Sequence, residues 1–189
     1  IFLMKRLFDL AVALTATFLL AIPILIVSIC ILLTSTGPII YWSNRVGQFN
    51  RLFDMPKFRS MLVDTPAVAT HLLSNPDTYL TPIGSFLRKS SLDELPQLWS
   101  VLRGDMSIVG PRPALFNQED LITLRTEHGV EKLKPGITGW AQVNGRDAVS
   151  IPEKVALDTY YLNHQCFKLD CYIIFLTLMK VIKRVHVSH

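Results

Sequence analysis

Charge is scarce in this chain of 189 residues: Asp, Glu, Lys and Arg together make up 18%. Hydrophobic residues make up 50%, which excludes a disordered chain. Three cysteines (Cys30, Cys166 and Cys171) are too few, and odd in number, for a disulfide framework. None stands in a CxxC or Cys/His spacing, so no zinc site is expected, and a reduced cytoplasmic setting fits. The five histidines share no metal-ligand spacing. No P-loop, GxGxxG pattern, internal repeat, long linker or low-complexity stretch occurs. Nucleic-acid binding is disfavoured, because no domain motif is present and the basic residues are scattered. Acidic residues are fewer than basic ones, 15 against 19, and the pI near 9.1 suits a partner carrying phosphate or anionic lipid.

What is abundant is apolar sequence. The mean hydropathy of +0.34 is high for a soluble domain. Leu10 to Leu33 is a run of 24 uncharged residues, which as a helix measures about 36 Å, enough for a hydrocarbon core of about 30 Å. A signal peptide is a poor reading, since the run is too long and no A-x-A-like site precedes Gly37-Pro38. Pro23 interrupts the run and should kink it, with Ser28, Thr15 or a neighbouring helix meeting the freed carbonyl. Basic residues flank both ends: Lys5 and Arg6 before, Arg45, Arg51, Lys57 and Arg59 after. A span should show asymmetry. Both a kinked spanning helix and a re-entrant helix that returns to its own face satisfy the physics. Ile1 in place of a starting Met admits a longer parent chain.

After this anchor, residues 39 to 46 and 51 to 59 around Gly47-Gln48-Phe49-Asn50 read as a β-hairpin, with Pro56 confined to an edge or bulge. Short helices are expected over Pro66 to Asn75 and Pro82 to Lys89, and one over Glu94 to Arg103 ended by Gly104. Asp105 to Val109 is extended, Gly110-Pro111-Arg112-Pro113 is a rigid turn, and Pro135 to Gly145 is a shaped loop. Further helices are expected over Asn117 to His128, Pro152 to Asn163 and Asp170 to Arg184. The last has a wide apolar face and a narrow stripe of Thr177, Lys180 and Arg184, which suits a helix lying in a bilayer surface and equally one packed into a core.

The first chemical candidate is Ser91-Leu92-Asp93-Glu94-Leu95-Pro96-Gln97. The commoner explanation is capping: Asp93 as N-cap, Glu94 next and Pro96 in the first turn, or a Ser91–Glu94 capping box that fits Pro96 less well. The same carboxylates at a helix start can bind a divalent ion or attack phosphorus to form an acyl phosphate. Arg112, fixed between Pro111 and Pro113, is a rigid mount for a planar donor that suits phosphate or nucleobase recognition. Lys57, Arg59, Arg88, Lys89, Arg103 and Arg146 are basic groups of the same region.

Taken in order, these motifs resemble the bacterial monotopic phosphoglycosyl transferases, or initiating sugar transferases. The series runs nearly end to end. It comprises Lys5-Arg6-Leu7-Phe8-Asp9, Lys57-Phe58-Arg59-Ser60-Met61, Ser91 to Gln97, Gly104-Asp105-Met106-Ser107, Gly110-Pro111-Arg112-Pro113, Pro135 to Arg146, and Asp158 with Tyr160-Tyr161. The resemblance implies transfer of a sugar-1-phosphate from a UDP-sugar to polyprenyl (undecaprenyl) phosphate, releasing UMP, as the first membrane step of surface glycan or glycoprotein assembly. It implies a ping-pong mechanism with Asp93 as nucleophile, Glu94 assisting, and Mg2+ at both. It places Lys57, Arg59, Arg88, Arg112, Arg146 and Asp158 around the substrates. It further implies an α+β, mainly helical fold in two parts. Residues 1–36 form a re-entrant membrane helix kinked near Pro23. Residues 37–189 form a compact catalytic domain with a small hairpin and interface-lying amphipathic helices, on the cytoplasmic face of the inner membrane. The family's break is a Ser-Pro pair, where this chain has Ile22-Pro23. A membrane-bound nucleotide-sugar hydrolase and an inactive scaffold are the rival expectations. The sugar, the pathway and the oligomeric state are not legible.

Overall fold

The computed structural model describes residues 2–65, 75–145 and 149–187. It is mainly helical, with two two-stranded sheets. The apolar run forms α1 (Phe2–Leu19) and α2 (Ala21–Thr34), bent by 60° at Leu20. No single helix among the described residues is long and apolar enough to cross a membrane; the bent pair passes together by length and composition. The bend falls three residues before Pro23. A proline denies a hydrogen bond to the carbonyl four residues earlier, which is that of Leu19, the last residue of α1. Pro23 itself sits in the first turn of α2, where no N–H is needed. Ser28 does not serve the break, since its hydroxyl donates to Ile24 O at 2.7 Å.

The hairpin forms as expected. Strands β1 (Ile40–Val46) and β2 (Leu52–Phe58) are antiparallel, with Tyr41 opposite Lys57 and Trp42 opposite Pro56. Phe49 and Asn50 turn the corner at φ of 55° and 57°. Helix α3 (Gly84–Ser90) follows, then α4 (Gln97–Arg103), which Gly104 ends at φ 98°. Strand β3 (Ser107–Val109) pairs in parallel with β4 (Gly136–Thr138). Helices α5 (Glu119–Glu127), α6 (Trp140–Asn144), α7 (Ile151–His164) and α8 (Phe167–Val187) complete the chain. The stretch expected as a loop, Pro135 to Gly145, is thus mostly β4 and α6. There Gly136 and Gly139 lie against the backbone of Gly110, closer than any Cβ permits. The helix expected over Pro66 to Asn75 lies, apart from Asn75, outside the described residues.

One core joins Ala13, Met55, Leu98, Val101, Met106, Ile108, Val143, Tyr161 and Ile173, so α1 is seated on the domain. Its opening motif does the seating. Lys5 pairs with Asp170 at 2.7 Å, and Tyr161 donates to the same carboxylate at 2.6 Å. Arg6 donates to the carbonyls of Val101 and Leu102 at the end of α4, at 2.6 and 2.8 Å. Asp9, buried, accepts from the Ser107 hydroxyl and the Ile108 N–H. A second cluster packs Val27 and Ile31 of α2 against Phe58 and Leu87.

The outward faces of α1 and α2 are apolar and bare: Phe18 and Leu33 are 82% and 81% exposed. Helix α8 buries Ile173 and leaves Tyr172, Phe175, Leu178 and Val181 exposed. Its anticipated polar stripe is not wholly outward. Thr177 shares a 2.6 Å hydrogen bond with Thr138 and ties α8 to β4.

Candidate active site

Ser91 closes α3 in the left-handed region at φ 59°, and its N–H donates to Arg88 O. Leu92–Glu94 then make one 3-10 turn that runs through Leu95 and Pro96 into α4. Asp93 and Glu94 are therefore not helix caps; neither the turn nor α4 has a side-chain cap hydrogen bond. Leu92 and Leu95, one turn apart, pack against the cluster of Val27, Ile31, Phe58 and Leu87. That pinning turns the two carboxylates between them towards a cleft.

The neighbours differ sharply in company. Lys57 of β2 donates to Glu94 Oε1 at 3.0 Å, and Arg112 donates to the same oxygen at 2.8 Å. Burial alone raises the pKa of Glu94, but Arg112 and Lys57 outweigh it and hold the carboxyl well below the usual carboxylate range. Asp93 enters no ion pair among the described residues. Burial pushes its carboxyl above the ordinary value, an effect that Lys57 and Arg88 only partly offset. Burial also lowers Lys57, and it lowers Arg45, with help from Arg112, to about 10.

The cleft holds about 1000 Å³. Seven basic side chains line it (Arg45, Lys57, Arg59, Arg88, Arg112, Arg125 and Lys154) against two acids, Asp93 and Glu94. An excess of that size is complementary to a multiply charged anion. Arg112 is held at both ends: its guanidinium reaches Glu94 and, at 3.5 Å, Gln142 Oε1, while its carbonyl accepts from Arg125 at 2.9 Å. Arg125 is in turn fixed on Asp158 through bonds of 2.6 and 3.0 Å.

The expected site residues thus separate. Asp93, Glu94, Lys57, Arg88 and Arg112 converge on the cleft. Arg59 lines it too, but its guanidinium donates to Ser35 O, Ser35 Oγ and Thr36 O, closing the end of α2. Asp158 is 1% exposed and does not line the cleft; it acts on it through Arg125. Arg146 lies outside the described residues. Sequence reasoning passed over Arg45, Arg125, Lys154 and Gln142. The available signal for Arg125 was Asp158 itself, a carboxylate in a helix that buries Val155 and Tyr161 and so requires a cation from elsewhere.

Comparison with known proteins identifies the family. The family model described as bacterial sugar transferase matches residues 2–184. The chain is 41% identical over 182 residues to a protein of Bacillus subtilis named as an uncharacterized sugar transferase, EpsL, covering 95% of this chain and 88% of that one. It is 41% identical over 187 residues to the UDP-glucose:undecaprenyl-phosphate glucose-1-phosphate transferase of Escherichia coli, covering 94% of this chain and 40% of that protein. It is 39% identical over 196 residues to the UDP-galactose-lipid carrier transferase of Erwinia amylovora, covering 96% and 41%. The chain therefore spans most of the first relative and about two-fifths of the other two.

Proposed function

The chain belongs to the bacterial sugar transferase family, and from that premise we propose that it transfers a sugar-1-phosphate from a UDP-sugar to undecaprenyl phosphate, releasing UMP. The observation that carries the reading is the contrast within the dyad. In a cleft of excess positive charge, one carboxylate is tied down by two cations while its neighbour enters no ion pair among the described residues. Asp93 is the nucleophile. Its carboxylate oxygen attacks the sugar-bearing phosphorus, and the bond to UMP breaks, the electron pair leaving with UMP. The resulting acyl phosphate carries the sugar. A phosphate oxygen of undecaprenyl phosphate then attacks the same phosphorus and displaces the Asp93 carboxylate, giving undecaprenyl diphosphate sugar. Glu94 orients Lys57 and Arg112, which together with Arg88 and Arg45 face the charge that gathers on the phosphoryl oxygens.

Among the described residues no group of three or more His, Cys, Asp or Glu stands together. Asp93 and Glu94 are still a fitting donor set for Mg2+, which typically takes one or two carboxylates and completes its shell with phosphate oxygens and water. When bound there it would offset charge on the transferred phosphoryl group.

The bent α1–α2 pair serves as a re-entrant anchor at the cytoplasmic face of the inner membrane, and the exposed apolar face of α8 lies along the same interface. This level suits a water-soluble donor and a lipid acceptor whose phosphate sits among the headgroups. The relatives' names include both glucose and galactose at similar identity, so the sugar is left open.

The test is UMP release in lipid nanodiscs with undecaprenyl phosphate, Mg2+ and a panel of UDP-sugars. Activity requiring all three and lost in Asp93→Asn is expected, together with radiolabelled phospho-sugar retained on the protein before acceptor is added. Forming the acyl phosphate releases one equivalent of UMP per chain; sustained, multiple-turnover UMP release without any acceptor would instead make this a hydrolase. An Asp93→Asn variant as active as the parent would end the proposal.

A further inference from the structure

The cleft has two distinct ends, and β1 measures the distance between them. Six consecutive β1 residues, Ile40 to Arg45, line it, a length of about 17 Å. The Ile40 end adjoins the anchor: Arg59 N–H donates to Ile39 O, and the Arg59 side chain holds the end of α2. Leu62, Val63 and Arg88 line the cleft, and Leu87 packs with α2. The Arg45 end is far from the anchor and is closed by another segment. Leu115 bridges Arg45 there, and Val46 N–H donates to Ala114 O at 3.0 Å.

That segment continues directly from Arg112 and Pro113. It is locked as a turn by Leu115 N–H on Gln118 Oε1 at 2.9 Å and Gln118 N–H on Leu115 O at 3.1 Å. On this rigid turn Phe116 lines the cleft yet stays 47% exposed. It lies four residues from Arg112, a chain span of at most about 14 Å. An exposed aromatic ring and the Arg112 guanidinium lining one cleft offer the pairing that a nucleotide needs: a platform for the planar base and a cation for the phosphates.

We infer that the distal end of the cleft is the nucleoside subsite, with the donor's uracil stacked on Phe116. This rests on the transferase reading and gives the cleft a direction. The base and ribose lie at the Phe116 end, the diphosphate spans Arg112 and the dyad, and the lipid phosphate arrives from the Arg88 end. Tyr41 and Trp42, also exposed, stand near the anchor end of β1, on the side left to the acceptor.

The experiment uses the full chain in phosphatidylglycerol-containing nanodiscs and measures binding of two probes, UDP and inorganic pyrophosphate. Pyrophosphate keeps the charge and lacks the base. Phe116→Ala and Phe116→Leu should each weaken UDP about tenfold and leave pyrophosphate unchanged, while Phe116→Trp restores UDP. UDP binding unaffected in Phe116→Ala, including the case where only UDP-sugar binding weakens, overturns the inference. So does a pyrophosphate loss equal to the UDP loss, or a Trp variant as weak as the Leu one. Failure of the parent reading looks different. A wild-type chain that binds UDP through Phe116 but releases no UMP with undecaprenyl phosphate keeps the subsite and loses the transferase. A wild-type chain that binds no UDP loses both.

Discussion

Charge is buried beneath α1 and again along the cleft, and the two regions settle it in different ways. Under α1, Lys5 meets Asp170, Arg6 meets the carbonyls ending α4, and Asp9 accepts two hydrogen bonds. That account is closed within the protein. In the cleft, seven cations line the walls; Arg125 is matched by Asp158 and Arg59 by the end of α2, and the others still outnumber the adjacent carboxylates Asp93 and Glu94. Among the described residues, that account retains a basic excess. The lesson is that a basic motif in this chain is not functional by being basic. Lys5-Arg6 spends its charge on seating a helix, whereas Lys57 and Arg112 share one carboxylate, Glu94, in a cleft that stays basic.

The sharpest way to break this contrast is to attack the closed side first. Asp170→Ala leaves Lys5 buried without its carboxylate and removes the Tyr161 acceptor, so stability should fall by about 3–5 kcal/mol in thermal or denaturant unfolding. A loss under about 1 kcal/mol would mean that the seating of α1 rests on apolar packing alone. On the open side, Lys57→Met should lower UMP release about a hundredfold, while stability stays within about 1 kcal/mol, because Glu94 keeps Arg112 as its partner and the desolvation cost of a buried cation is removed. If that variant unfolds as easily as Asp170→Ala, the cleft cations are structural and the comparison collapses.

Asp158→Asn tests the link between the two modes. It loosens Arg125, which holds the Arg112 carbonyl, so the KM for UDP-sugar should rise about tenfold with kcat changed little. An equal fall in kcat at unchanged KM would place Asp158 in the chemistry instead. The smallest effect belongs to Thr177→Val, which removes the tie to Thr138: about 1 kcal/mol of stability and no change in turnover. A change in turnover there would show that the seat of α8 reaches the dyad.

Where local signals governed, the sequence was legible. Gly104 ended α4, and the hairpin closed around Gly47 to Asn50 with Pro56 on an outer strand. Pro23 announced a break, though it acts through the carbonyl four residues earlier and so places the bend at Leu20. Misreadings arose where distant packing decides. Asp93 resembled a cap because capping is written within one turn, whereas its true orientation follows from Leu92 and Leu95 meeting α2 and β2. Lys57 and Arg59 look equivalent in sequence. Arg59, however, follows the last residue of β2 and meets the end of α2, so it is committed elsewhere. Arg125 and Asp158 are 33 residues apart, and nothing local couples them.

The grip of Arg59 on Ser35 and Thr36 has a mechanical side. The side chain that closes the end of α2, Arg59, and the cation that restrains Glu94, Lys57, are separated by only two residues of β2 and its exit. A vertical displacement of α2 is therefore transmitted with almost no slack to Lys57. The contact that closes the end of α2 and the contact that restrains Glu94 thus lie two residues apart on one strand and its exit.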